Sequence, residues 1–144
     1  MKLRTVKSKK RKSNPYYVYE YKMLAPSPEY NKQLTSEQML IVTAVACKHF
    51  SIPLLRVQFW KLKKLSGKCI RFRNKKTHMC VFSIKYSKRR IFFGRNIYTY
   101  GLVAHEVAHA LQYVRTGKTK DNNDLLPFVE EVLTYITSYM TKHL

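Results

Sequence analysis

The residues best equipped for chemistry lie in one short run, GLVAHEVAHALQ, from Gly101 to Gln112. His105 and His109 stand four positions apart, with Glu106 beside the first. On a helix, positions i and i+4 share a face one turn apart, so two imidazoles at this spacing can be offered to one metal ion, and zinc suits them. Glu106 projects beside the pair. In that place it is not a ligand but takes a proton from a water that the ion has acidified, preparing it to attack a carbonyl. The competing explanation is that the histidines are satisfied core side chains or the remnant of a lost site. Leu102, Val103, Ala104, Val107, Ala108, Ala110 and Leu111 make the surrounding helix almost wholly apolar and hence buried. Buried polar groups must be paired or liganded, and a metal provides that.

Other elements have to hold this helix in place. LTSEQMLIVTAVACKHF carries Thr35 and Gln38 at capping-box spacing, then Met39, Leu40, Val42, Val45, Ala46 and Phe50 at helical period, with Pro53 just beyond. Four short runs rich in β-branched and aromatic residues follow: LLRVQFWKL, GKCIRFRNK, THMCVFSIKY and RRIFFG. Turn residues separate them, which predicts a small antiparallel sheet. Helical periodicity returns near Tyr98 and stops at Gly117; Pro127 then opens a last helix with Phe128, Val129, Val132, Leu133, Ile136 and Met140 as its buried face.

HEVAH followed by Ala110-Leu111 resembles the active-site helix of the zincin metallopeptidases. The resemblance covers roughly residues 35 to 142 as architecture and is specific only in the five motif residues. It implies a small sheet before that helix, a further helix after it and a third zinc ligand beyond His109. In the gluzincin branch that ligand is a glutamate on the following helix, and Phe128-Val129-Glu130-Glu131-Val132-Leu133-Thr134 is similar to the branch pattern, which selects Glu131. Spacing counted from His109, as in thermolysin-like members, selects Glu130. SprT-like proteases use a histidine shortly before a phenylalanine, and Asp124 occupies that place in Asp124-Leu125-Leu126-Pro127-Phe128. Each carboxylate also has an ordinary explanation: Asp124 as a helix cap, Glu130 and Glu131 as partners of the helix dipole. Yet no Asp or Glu occurs between Gln38 and His105, whereas carboxylates gather between Glu106 and Glu131. His49, His78 and His143 are expected to be solvated or packed, with His78 in a turn of the sheet. Tyr113, Tyr135 and Tyr139 flank the site as packing residues, one of which could donate to an oxyanion.

The middle of the chain is basic. Between Arg56 and Arg95 there are 14 Lys or Arg and no acid, interleaved with aromatic residues. Strand alternation puts the charges on one face and the apolar residues on the other, so Lys61, Lys63, Lys64, Arg71, Arg73, Lys88, Arg89 and Arg90 are expected to form a surface for the backbone of DNA or RNA, without sequence preference. A charge of +20, from 28 Lys+Arg against 8 Asp+Glu, far exceeds what solubility asks for.

At 144 residues the chain fits a single domain. We expect a basic disordered arm over residues 1–14, an extended Tyr/Pro-rich segment over 15–34 and a zincin-like metallopeptidase domain over 35–144. Its fold class is α+β: N-terminal helix, small antiparallel sheet, HExxH helix, C-terminal helix. Cys47, Cys69 and Cys80 show no CxxC spacing and read as reduced thiols. No apolar run approaches the roughly 18 residues of a membrane span, and no secretory signal is evident. The expected protein is an intracellular monomer of cytoplasm or nucleoid, or of the nucleus if KKRK is a localisation signal. Its expected activity is zinc-dependent hydrolysis of a protein or peptide substrate on or near nucleic acid. The alternative is a nucleic-acid-binding module whose zincin helix is structural or decayed.

Overall fold

The computed structural model describes residues 28–62, 65–73, 76–84, 98–118 and 124–143. The basic arm, most of the Tyr/Pro-rich segment, the run expected as a fourth strand, and Lys63, Lys64, Lys88, Arg89 and Arg90 lie outside them.

Helix α1, Ser36–His49, begins on the expected capping box. The Thr35 hydroxyl accepts from the Gln38 N–H at 3.1 Å, and the Gln38 side chain accepts from the Thr35 N–H at 2.9 Å. Met39, Val42 and Ala46 are buried, but Leu40 faces outward, one residue off the predicted stripe. Strands β1, Leu54–Trp60, β2, Gly67–Phe72, and β3, Thr77–Ser83, form a sheet in the order β1-β3-β2. β2 pairs antiparallel with β3, but β1 pairs parallel with it, so the sheet is mixed rather than antiparallel. The reason is compositional. His78, Met79, Cys80, Val81, Phe82 and Ser83 are all buried, and only a central strand hides both of its faces. The charged β2 is carried past that place to the edge, and returning through a hairpin sets β3 parallel to β1.

Helix α2, Tyr100–Thr116, carries HEVAH, and helix α3, Leu126–His143, packs along it. Thr99 caps the start of α2 by accepting from the Leu102 N–H, and Gly117 ends it in the left-handed conformation at φ 76°. The same start is anchored twice more. The Tyr98 hydroxyl donates to the Ser83 carbonyl at 2.8 Å, and the Leu34 and Tyr100 N–H groups bond the Tyr98 and Lys32 carbonyls. Tyr30, in a 3-10 turn at Pro28–Asn31, lies against Gly101, where an added Cβ would fall 2.4 Å from its ring. Tyr30 and Leu34, from the end of the expected extended segment, are thus buried against the body. Among the described residues no helix is long and apolar enough to cross a membrane.

Candidate functional site

One face of the sheet looks at α2. The register pairs Gly67 with Phe82, Cys69 with Cys80 and Arg71 with His78. These alternate residues therefore share a face, and two contacts fix which face it is. A Cβ added at Gly67 would lie 3.2 Å from Glu106 Cγ and from Leu102 Cδ1, while the Arg71 guanidinium lies over the Tyr113 ring of α2 at 4.4 Å. Gly67 thus lets the edge strand approach Glu106 closely.

Between β2 and α2 opens a cleft of about 500 Å³, lined by Arg71, Arg73, His78, His105, Glu106 and His109 among others. His105 and Glu106 are buried at 1% and 2% exposure, and His109 is half-buried. The two HEVAH imidazoles stand edge to face with ring centroids 4.9 Å apart. Burial, and then the neighbouring His109, hold His105 well below the ordinary histidine range; burial lowers His109 to about 4. Both are neutral near pH 7, the state in which imidazole binds a metal.

The fit to zinc is partial. Two neutral donors share a helix face, as the spacing requires, with Glu106 beside them. Among the described residues, however, no third His, Cys, Asp or Glu completes a set that could hold a metal. Glu131, expected as the third ligand, is exposed and outside the cleft, and Arg115 donates to both its oxygens at 2.7 and 2.9 Å. That bond holds its carboxyl below the ordinary value. Glu130 and Asp124 are also exposed, and neither lines the cleft.

His78 is the residue that sequence reading undervalued. It sits not in a turn but in β3, 1% exposed, its ring edge to face with Tyr113 at 5.6 Å. Neither ring nitrogen has a hydrogen-bond partner among the described residues. Burial lowers its pKa, the Pro53 carbonyl opposes this, and the Arg71 guanidinium adds to it. The available signal was the alternation His78, Cys80, Phe82, which puts His78 on the face that packs inward.

Other expectations resolve differently. Tyr113 forms part of the Arg71–His78 cluster, whereas Tyr135 stacks on His49 at 4.1 Å and Tyr139 stacks on Tyr135. Neither of those two tyrosines lines the cleft. The cysteines are free thiols: burial pushes Cys47 up to about 12, and a hydrogen bond with Cys69, together with burial, holds Cys80 well above the ordinary value. Lys61, Arg71 and Arg73 are exposed, as a basic surface needs, but Arg71 and Arg73 also line the cleft. Within β2 alternation puts Arg71 on the side of Gly67 and Cys69, turned toward α2, and the charged Lys68 on the side of Ile70 and Phe72. No protein-family model, curated protein or solved structure matches the chain.

Proposed function

We propose that this chain is a zinc-dependent peptidase that works on or near nucleic acid. One observation carries the reading. His105, Glu106 and His109, polar residues set in a largely apolar buried helix, all open onto a single cleft. Burying a carboxylate is costly, and placing one beside two neutral imidazoles at a cleft has a catalytic rationale.

His105 and His109 would hold the ion through their neutral ring nitrogens. When bound, the zinc acidifies water and polarises a carbonyl. Glu106 accepts the proton of the attacking water and returns it to the departing amine, a shuttle that needs a carboxylate close to the scissile bond but not bonded to the ion. The apolar helix and the sheet exclude bulk water, and Gly67 leaves room for the Glu106 side chain. For Glu131 to serve as third ligand, Arg115 must release it. An exposed ion pair of this kind is worth at most about 1 kcal/mol, less than a metal–ligand bond contributes. The sequence-wide charge of +20 supports backbone contact with nucleic acid.

The nucleic-acid module with a structural helix stays as a second reading, favoured by the incomplete donor set and the engaged Glu131. Metal analysis of purified protein, paired with peptide hydrolysis by wild type and Glu106→Gln, separates the two. The peptidase reading expects about one zinc per chain in both proteins and hydrolysis in the wild type alone. Zinc-free, inactive wild type, or hydrolysis undiminished in Glu106→Gln, would sink it.

A further inference from the structure

We propose that the cleft selects an acidic peptide segment, with Arg71 and Arg73 reading carboxylates beside the bond to be cut. This rests on the peptidase reading for the cut itself, but not for the recognition. Three observations lead to it. First, the wall facing the HEVAH residues is cationic: Lys68, Arg71 and Arg73 line the same cleft as His105 and His109, and Glu106 is the sole acid among its described lining residues. Second, Arg71 is positioned by a ring of α2. Lys68 also lines the cleft, with its ammonium 5.2 Å from the Trp60 ring centroid. The Arg71 guanidinium lies over the Tyr113 ring, 4.4 Å from its centroid, on the α2 side. A guanidinium seated over a ring can still offer its planar fork of donors, which takes a carboxylate in two parallel hydrogen bonds. Third, Arg71 in β2 and Arg73 in the turn just past it are two residues apart, so their Cα atoms lie within about 7 Å, the repeat of same-side residues in an extended peptide.

Nucleic acid fits this cleft less well. A phosphate backbone is tracked by cations spread along a groove, whereas here Lys68, Arg71 and Arg73 border a cavity of about 500 Å³ that also contains the candidate peptide-cutting residues. A lysine-bearing substrate would meet two guanidiniums at close range and be rejected, so the same residues provide both attraction and exclusion.

The test uses full-length protein with zinc, at an ionic strength of about 0.15 M, so that long-range attraction to the overall positive charge is screened. Matched quenched-fluorescence peptides differ only in carrying Glu, Gln or Lys on either side of the cut. The expected order of kcat/KM is Glu, Gln, Lys, with about tenfold between the first two, the scale of one charge-assisted bidentate pair. Arg71→Gln should bring the Glu:Gln ratio close to one, and Arg73→Gln, a second variant in case loss of the Tyr113 stack loosens the strand, should lower it. Arg56→Gln, which removes an equal charge from exposed β1 outside the cleft, should leave the ratio unchanged. Equal rates for Glu and Gln peptides in wild type, or equal effects of Arg71→Gln and Arg56→Gln, would overturn the proposal. Anisotropy of the same peptides, dye-labelled, on Glu106→Gln protein repeats the ranking without turnover. A ranking that depends on Arg71 there, with no hydrolysis by wild type, would refute the peptidase reading and keep the recognition. Displacement of the Glu peptide by a short single-stranded oligonucleotide whose own binding needs Arg71 would make nucleic acid the occupant and overturn the peptide.

Discussion

Acid should destabilise the metal-free protein through His109, and the size of the effect follows from its burial. In the fold its pKa is about 4, against about 6.5 for an ordinary histidine. Between those values the unfolded chain binds a proton that the folded chain refuses, so stability rises with pH across the window. The contribution is fully present above about pH 6.5 and is lost as pH falls toward and through about 4. At pH 5 the unfolded imidazole is nearly all protonated and the folded one mostly neutral, which removes about 2 kcal/mol; the limit at lower pH is about 3 kcal/mol. Buried His105 is shifted in the same direction and adds to the loss. The assay is urea unfolding with a chelator present, at pH 7.5 and pH 5, for wild type and His109→Asn. The quantity compared is each protein's own change with pH, so any fixed cost of the substitution cancels. Wild type should lose about 2 kcal/mol more than the variant between the two pH values. Equal losses would show that the fold does not penalise the His109 charge, and would refute a buried, neutral His109 at the cleft.

Alanine at Glu131, Glu130 and Asp124 in turn, read by zinc affinity, should show a large loss for a true third ligand and only about 1 kcal/mol of stability for a cap or surface ion pair. If all three keep stoichiometric zinc, the donor lies elsewhere, and His78→Phe and Cys69→Ser are the next variants to measure. Binding to unrelated DNA and RNA sequences should be of similar strength and should weaken steeply with salt; charge reversal at Lys61, Lys63, Lys64, Lys88, Arg89 and Arg90 together should abolish it. Failure to bind either nucleic acid at low salt would leave the basic surface to acidic protein.

The helices were legible in the sequence because their signals are local. The capping box at Thr35 and Gln38, Gly117 at the end of α2 and the stripe from Val129 to Met140 each depend on neighbours within a turn or two, and each appears in the structure where the spacing put it. The burial of His105 and Glu106 was legible for the same reason: apolar residues surround them on every side of one helix. Strand order was not. Nothing local in LLRVQFW distinguishes a parallel partner from an antiparallel one; that is decided by which strand hides two faces, and THMCVFS needs hiding most. His78 was missed with it, since its value depends on a register that carries it opposite Arg71 and beneath Tyr113.

The same limit explains the basic strand. Alternation correctly separates Arg71 from Ile70 and Phe72, but a sequence cannot say which side of an edge strand meets the helix. The usual presumption, apolar side inward, fails here because β2 approaches α2 closely at Gly67, next to Glu106, and then runs along the cleft with Arg71 on that side and Arg73 in the turn beyond. The consequence is physical: the expected nucleic-acid surface and the candidate catalytic residues are not on independent parts of the molecule. Arg71 cannot be neutralised without changing the field at His105, Glu106 and His109. For that reason the charge-reversal experiment on nucleic acid leaves Arg71 and Arg73 intact, and recognition within the cleft is tested by those two residues alone.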